Sequence, residues 1–162
     1  MPVNTRFNGV KAGDTAPDFE LPDQNGTPRR LSALLADGPV VLFFYPAAMT
    51  SGCTAESCHF RDLAAEFAEV GAQRIGISAD AVDKQRQFDE MHGLGYPLLS
   101  DVDRAVAAQF GVKRRLLPAP VKRSTFVIDT DRTVLEVISS ELNMNVHADK
   151  ALETLRKRAA GG

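Results

Sequence analysis

The sequence of 162 residues has little of what a membrane, secreted or nucleic-acid-binding protein needs. No apolar run approaches the ~20 residues of a membrane-spanning helix, and the first ten residues, MPVNTRFNGV, lack the apolar core of a signal peptide. The net charge is −2, so the composition gives no sign of a basic surface for nucleic acid. We therefore expect a cytoplasmic protein that binds neither membranes nor nucleic acid.

Cysteine and histidine are also scarce, with only Cys53 and Cys58 and three histidines. In a reducing compartment two cysteines are more often catalytic or metal-bound than a structural crosslink. A structural zinc site wants four ligands, and Cys53, Cys58 and His59 lack a fourth. We therefore assign no metal and no cofactor, and we give no catalytic role to His59, His92 or His147.

The most informative stretch runs from Val40 to Asp62, VVLFFYPAAMTSGCTAESCHFRD. Val40–Phe44 is an unbroken apolar run, which predicts a buried strand of a mostly parallel sheet, and Pro46 ends it. Residues 50–52, Thr-Ser-Gly, are typical of a helix N-terminus. An amphipathic helix is indicated by apolar residues at i, i+3, i+4 and i+7, namely Phe60, Leu63, Ala64 and Phe67, with Gly71 as its C-cap.

Cys53 lies in the first turn of this predicted helix. A cysteine reacts as its thiolate, and an ordinary thiol with a pKa near ~8.5 is only roughly 3% ionised at pH 7. The unpaired amides and partial positive charge of a first turn favour the anion. The alternative interpretation is a small buried core cysteine, but the proline, the hydroxyl and the helix start together favour a reactive thiol.

The spacing of Cys58 from Cys53 limits how the two can pair. Five residues along a helix separate the Cα atoms by ~8.5 Å, whereas a disulfide needs them within about 7 Å. Either the two thiols never pair, or the first turns unwind when they do. The apolar stripe begins only at Phe60, so we expect the first two turns to be weakly packed.

The segment FFYPAAMTSGCTAESCHFRD resembles the active-site signature of peroxiredoxins, in particular the peroxiredoxin Q, or bacterioferritin-comigratory-protein, subgroup. The signature has a proline, a threonine four residues later, the peroxidatic cysteine three further on, and then a glutamate and a resolving cysteine. The matching positions here are Pro46, Thr50, Cys53, Glu56 and Cys58. Ser51 departs from the proline common in the subgroup, which alters the stiffness of the loop but removes no catalytic group.

The resemblance extends along most of the chain. The opening APDFELPDQNG, the stretch Tyr96–Asp101 and the strand STFVID with Arg123 ahead of it are all similar to the family. Arg132 stands in a turn where the family often has glycine. Without the resemblance, Arg123 would be one of nineteen basic residues.

The resemblance implies a thiol peroxidase that reduces hydrogen peroxide and organic hydroperoxides through a Cys53 sulfenic acid. It implies that a Cys53–Cys58 disulfide follows, which thioredoxin or a similar dithiol reduces. Arg123 and Thr50 are expected to assist the attack and Pro46 to shape the pocket, while Glu56 either orients Arg123 or is simply a favourable acid in a first turn.

The remaining pattern predicts one domain, residues 1–162, with residues 1–13 as a loose lead-in. Strands are expected at Arg74–Ser78, Ser124–Ile128 and Val134–Ile138, with a hairpin turn at Asn25-Gly26. Helices are expected from an Asp80 cap to His92, from Val102 to Phe110, and from Val146 to Arg158 with Ala148, Leu152, Leu155 and Ala159 on one face. This order predicts an α/β fold with a mixed central sheet flanked by helices, and the resemblance implies a thioredoxin-like fold with peroxiredoxin additions.

Some alternatives stay open at this point. Residues 113–123, KRRLLPAPVKR, form either a solvated loop or an exposed apolar patch that meets a partner. A thioredoxin-like disulfide reductase would want C-x-x-C rather than the C-x4-C found here. A non-enzymatic redox sensor could use the same disulfide switch. We expect a monomer and keep a weak dimer as the alternative.

Overall fold

A computed structural model describes residues 9–114 and 120–161 of the chain. Seven strands lie within these residues: β1 (Glu20–Pro22), β2 (Pro28–Arg30), β3 (Val40–Phe44), β4 (Gln73–Ser78), β5 (Leu98–Ser100), β6 (Ser124–Ile128) and β7 (Val134–Ser139). β1 and β2 form the predicted antiparallel hairpin, and the other five form one sheet in the order β5-β4-β3-β6-β7. β3 pairs in parallel with β4 and antiparallel with β6, so the predicted mixed sheet is confirmed.

The helices in the described part of the chain are α1 (Leu31–Leu34), α2 (Ser51–Asp62), α3 (Ala64–Glu69), α4 (Val82–His92), α5 (Ala105–Phe110) and α6 (Val146–Gly161). A 3-10 turn, Leu35–Asp37, follows α1. None of these helices is long and apolar enough to cross a membrane.

The central strand β3 is buried along its whole length because both faces of the sheet are covered. Val40, Leu42 and Phe44 pack into an apolar cluster with residues of α1 and α5. The alternate residues Val41 and Phe43 face the opposite way, into a second cluster with residues of α2, α3, α4 and α6. This alternation follows from the two-residue period of a strand and places α2 and α6 on the same face of the sheet.

Three local predictions are corrected. The helix with the Phe60–Phe67 stripe breaks at Leu63, so α2 and α3 are separate helices whose phenylalanines still enter one cluster. Asp80 does not cap α4; Ala81 is the N-cap residue without a side-chain cap, and Asp80 accepts hydrogen bonds from elsewhere. Val102 is exposed and lies outside α5.

The ends of other elements also differ from expectation. α6 extends to Gly161, and Ala159 is exposed rather than on the buried face. Arg132 adopts φ +72°, the backbone conformation that a glycine takes at that turn position. Within the expected loose lead-in, residues 9–13 are tied to the body of the protein by bonds from the Val10 amide to the Phe110 carbonyl and from the Gly13 amide to the Val134 carbonyl.

The segment 113–123 is described only at its two ends, because residues 115–119 lie outside the described residues. Lys113 and Val121 form an antiparallel bridge, and Val121 is buried. The two ends of the segment are thus held together next to the start of β6.

Candidate active site

The candidate site lies at the carboxyl end of β3, where the chain turns into α2. Two side-chain contacts fasten this turn: Asp80 accepts a hydrogen bond from the Ala48 amide at 2.7 Å, and the Tyr45 hydroxyl donates to Gln85 at 2.6 Å. Met49 adopts φ +72° just before the helix begins. Asp80 was predicted as a helix cap, and its role in holding this turn was not foreseen.

Cys53 lies in the first turn of α2, and its side chain is fully buried. Its sulfur accepts a hydrogen bond from Nη2 of Arg123 at 3.3 Å. The first amides of α2 also have no intrahelical acceptor, as in any helix. The guanidinium of Arg123 is therefore a buried charged donor to the sulfur, and a charged donor at this distance stabilises a thiolate.

The pairing of β3 with β6 explains how two residues 70 positions apart meet. The strands run antiparallel, with Phe44 opposite Ser124, so the end of β3 lies beside the start of β6. Arg123 immediately precedes β6 and thus reaches the helix that follows β3. Gly52 leaves room for the guanidinium, because a Cβ there would lie 3.3 Å from Nη2 of Arg123.

Glu56 lies one helical turn after Cys53 and is completely buried. Its Oε1 accepts a hydrogen bond from Nη1 of Arg123 at 2.5 Å, which is the geometry that an orienting role requires. Burial raises the pKa of Glu56 to about 7, although the Arg123 guanidinium acts in the opposite direction. Burial acts to lower the pKa of Arg123, but Glu56 and Cys53 outweigh it and raise that pKa.

His147 is the site residue that the sequence analysis missed. Its ring is fully buried at the start of α6, with Nδ1 2.8 Å from the Thr125 hydroxyl and Nε2 2.9 Å from the Ser140 carbonyl oxygen. Nδ1 also lies 3.7 Å from Oε2 of Glu56. Burial lowers the pKa of His147. A signal existed: residues 147, 151 and 155 share one helical face, and Ala151 and Leu155 are apolar.

Thr50 and Pro46 border the site on the solvent side. Thr50 is the exposed residue that precedes α2, and its hydroxyl donates to the Ala47 carbonyl oxygen at 2.7 Å, not to Cys53. Pro46 is half-buried at the start of the turn. Ser51 occupies the first helical position, where proline is favoured, which accounts for the subgroup's proline there.

Cys58 lies on the same helix as Cys53, and both thiols are free. The expectation that the first two turns of α2 are weakly packed is wrong, because Cys53, Glu56 and Ser57 are all fully buried. These turns are held by polar contacts, whereas the prediction considered only apolar residues. Arg123 binds Glu56, and the Tyr96 hydroxyl donates to the Ser57 carbonyl oxygen at 2.7 Å.

The other two histidines make contacts that need no catalytic role. His59 pairs with Asp149 at 2.8 Å and so joins α2 to α6. His92 packs edge-on against Phe88. Within residues 9–114 and 120–161, no group of three or more potential ligand side chains could hold a metal ion.

The chain is similar in sequence to known proteins. The sequence model of the AhpC/TSA family matches residues 12–137. A putative peroxiredoxin of Mycobacterium tuberculosis is 70% identical over 154 residues, which cover 94% of this chain and 100% of the relative. Peroxiredoxin Bcp of Escherichia coli is 37% identical over 158 residues, which cover 94% of this chain and 100% of the relative.

Solved structures of similar proteins share the fold of this chain. Peroxidoxin BcpB of Mycobacterium tuberculosis superposes with a TM-score of 0.88 at 71% identity, covering 91% of this chain and 97% of that one. A peroxiredoxin Q structure of Xanthomonas campestris superposes with a TM-score of 0.80 at 30% identity, covering 98% of this chain and 96% of that one.

Proposed function

This chain belongs to the AhpC/TSA family, within its peroxiredoxin Q/Bcp group of thiol peroxidases, and we propose that it reduces peroxides through Cys53 with Cys58 as the resolving cysteine. The observation that carries the proposal is the buried contact of 3.3 Å between Cys53 Sγ and Nη2 of Arg123 in the first turn of α2. A guanidinium at that distance stabilises a thiolate, the form of cysteine that attacks peroxides.

In the first step the Cys53 thiolate attacks one peroxide oxygen, so an S–O bond forms and the O–O bond breaks. Negative charge develops on the departing oxygen, and Arg123 with the first amides of α2 stabilises it. While the Thr50 hydroxyl donates to the Ala47 carbonyl, its oxygen accepts the peroxide O–H and orients the attacked atom. Pro46 has no N–H to bind water at the mouth of the site.

In the second step the Cys58 thiol attacks the Cys53 sulfenic acid, giving a disulfide and water. Since α2 holds the two sulfurs on different sides of an intact helix, its first turns unwind before this bond forms. Thioredoxin or a similar dithiol then reduces the disulfide by thiol–disulfide exchange. Because that reductant acts in a reducing compartment, we expect the protein to act in the cytoplasm.

Hydrogen peroxide and organic hydroperoxides are the proposed substrates. One structural relative, the bacterioferritin comigratory protein of Xanthomonas campestris, is described in terms of its alkyl peroxide reduction activity. Here the partly exposed side chain of Met49 lies at the turn into α2, next to Thr50, and offers an apolar contact for an alkyl group.

Peroxide consumption coupled to thioredoxin, its reductase and NADPH tests the proposal. We expect steady turnover by the natural protein, no oxidation by Cys53→Ser, and one rapid oxidation without recycling through the disulfide by Cys58→Ser. The two serine variants are matched controls for each other. A single oxidation followed by a stall in the natural protein would favour a redox sensor, and equally slow oxidation of both variants would contradict the division of roles.

A further inference from the structure

One buried cation in the site faces two groups that can each be an anion. Arg123 donates a hydrogen bond from Nη2 to the Cys53 sulfur and another from Nη1 to Glu56, and all three side chains are buried. The ionisable groups that face Glu56 or its two nitrogen partners are Arg123, His147, Glu141, Cys53 and Tyr96. A thiolate and a carboxylate together would leave a net negative charge in a buried site, which costs solvation free energy.

The second carboxyl oxygen of Glu56, Oε2, is the atom that can carry a proton. Oε2 is buried and has no hydrogen-bond partner among the described residues. Nδ1 of His147 lies 3.7 Å away from it. A carbonyl oxygen can only accept, so Nε2 of His147 carries the hydrogen that it donates to Ser140. In the neutral ring Nδ1 is therefore an acceptor, and an ionised Oε2 would face a second acceptor.

We propose that Glu56 holds a proton on Oε2 while Cys53 is a thiolate and is ionised once Cys53 is a sulfenic acid, with His147 as the positioning residue for that proton. This inference rests on the proposed peroxidase function. Arg123 then balances the thiolate before the reaction and the carboxylate after it, so the buried cluster stays neutral throughout. The raised pKa of Glu56, about 7, allows both states near neutral pH.

The step balances in atoms and charge. The Cys53 thiolate, the peroxide ROOH and the Glu56 carboxylic acid give the Cys53 sulfenic acid, the alcohol ROH and the Glu56 carboxylate. The sulfur is oxidised by two electrons, and the O–O bond accepts them. In the net step, the proton that Glu56 loses equals the proton that the departing oxygen gains.

His147 acts through Glu56 and does not touch the reacting atoms. Its burial lowers its pKa and keeps the ring neutral, and the Ser140 contact fixes the tautomer that presents a lone pair at Nδ1. The Thr125 hydroxyl donates to that lone pair and holds the ring in place, so Nδ1 acts on Oε2, 3.7 Å away, through its partial negative charge and not as a hydrogen-bond acceptor. A fixed partial negative charge beside Oε2 favours the protonated over the ionised carboxyl.

Infrared difference spectroscopy tests the proposal, since a protonated carboxyl has a C=O stretch that a carboxylate lacks. The Cys58→Ser background stops the reaction at the sulfenic acid. At pH 6 about nine-tenths of Glu56 is protonated for a pKa of about 7. We expect one equivalent of peroxide to remove nearly one protonated carboxyl per Cys53 oxidised. Glu56→Gln should abolish this loss, whereas Glu141→Gln, a matched change at a nearby exposed carboxylate, should retain it.

His147→Phe keeps a buried ring but has no ring nitrogen beside Oε2, and it should move the pH midpoint of the carboxyl band downward. An unchanged midpoint would remove His147 from the proposal, since a purely structural role does not shift it. Peroxide consumption is measured in the same samples. Stoichiometric consumption without band loss would overturn the proton exchange alone, while absence of consumption would overturn the proposed function itself.

Discussion

Tyr96 offers a direct test of the unwinding of α2. Its hydroxyl donates a buried hydrogen bond of 2.7 Å to the carbonyl oxygen of Ser57, the residue before Cys58. Its ring also packs against two other side chains: its centroid lies 5.7 Å from the ring centroid of Phe43 and 5.0 Å from Cζ of Arg74. Tyr96→Phe therefore removes one fastening of α2 and leaves the packing of the ring intact.

The magnitude follows from the net contribution of one hydrogen bond. A buried bond of this kind contributes ~1 kcal/mol, and the Ser57 carbonyl keeps its helical partner, so the opening equilibrium rises about fivefold. If opening precedes disulfide formation, the Cys53 sulfenic acid should resolve about five times faster in Tyr96→Phe. The first oxidation should be unchanged, because Arg123 and Cys53 keep their contact.

The chain contains no tryptophan, so the assay cannot rely on indole fluorescence; rapid quenching, alkylation of free thiols and mass spectrometry follow the disulfide instead. Ser32→Ala is the control, because the Ser32 hydroxyl donates at 2.9 Å to Asp18 and lies on α1, which packs on the opposite face of the sheet from α2. Equal resolution rates in Tyr96→Phe and the natural protein, or equal acceleration by both variants, would refute the reasoning.

Three further outcomes are expected. Arg123→Met should slow the alkylation of Cys53 by iodoacetamide at neutral pH, because it removes the cation whose hydrogen bond stabilises the reactive thiolate; an unchanged rate would rule out that role. Amide exchange of residues 51–59 should be faster in the disulfide form than in the reduced form, with residues 62–70 comparable in both, and equal protection of residues 51–59 would contradict the unwinding. The folded pKa of Glu56, about 7, lies above its ordinary value of 4.5, so the folded state holds a proton that the unfolded state lacks between these pH values. The natural protein should therefore lose about 3 kcal/mol of stability relative to Glu56→Gln as pH rises from about 4.5 to 7, measured by urea unfolding, and a constant difference would contradict this titration.

A matched control for the alkylation experiment is Arg86→Met. Arg86 pairs with the exposed carboxylate of Asp83 on α4, and both lie on the surface. Loss of that guanidinium should leave the alkylation rate of Cys53 unchanged.

The sequence was sufficient for the elements whose signals are local. The unbroken apolar run Val40–Phe44 predicted the central strand, and the Thr-Ser-Gly start predicted the helix that carries Cys53. Asp80 was misassigned because two interpretations compete for an aspartate before a helix, and only the fold shows that the Ala48 amide binds its carboxylate. The break between α2 and α3 at Leu63 was also missed, because the apolar residues keep their helical spacing across it.

The site residues also fall into two groups: those whose proximity follows from the local sequence and those that only the fold brings together. Cys53 and Glu56 are one turn apart on a helix, so their proximity follows from the sequence. Arg123 comes from a distant strand, and only the family resemblance singled it out among the basic residues. His147 lay on the buried face of a predicted helix, but nothing in its spacing reveals that Glu56 lies opposite, because α2 and α6 are far apart in the chain and come together only in the fold.

The antiparallel register of β3 and β6 has a consequence for how such a chain can change in evolution. Arg123 reaches Cys53 because Ser124 is opposite Phe44, and a slip of one residue would turn the guanidinium to the other side of the sheet. Insertions and deletions between α2 and β6 leave that ladder untouched, so loops there are free to drift in length. The irregular pairing near Val127 and Ile128 lies at the far end of β6, where it does not reach the thiol. The reactive centre is therefore sensitive to length changes in β3, in β6, in the turn between β3 and α2, and in α2 itself, whereas the loops between the other elements can vary in length.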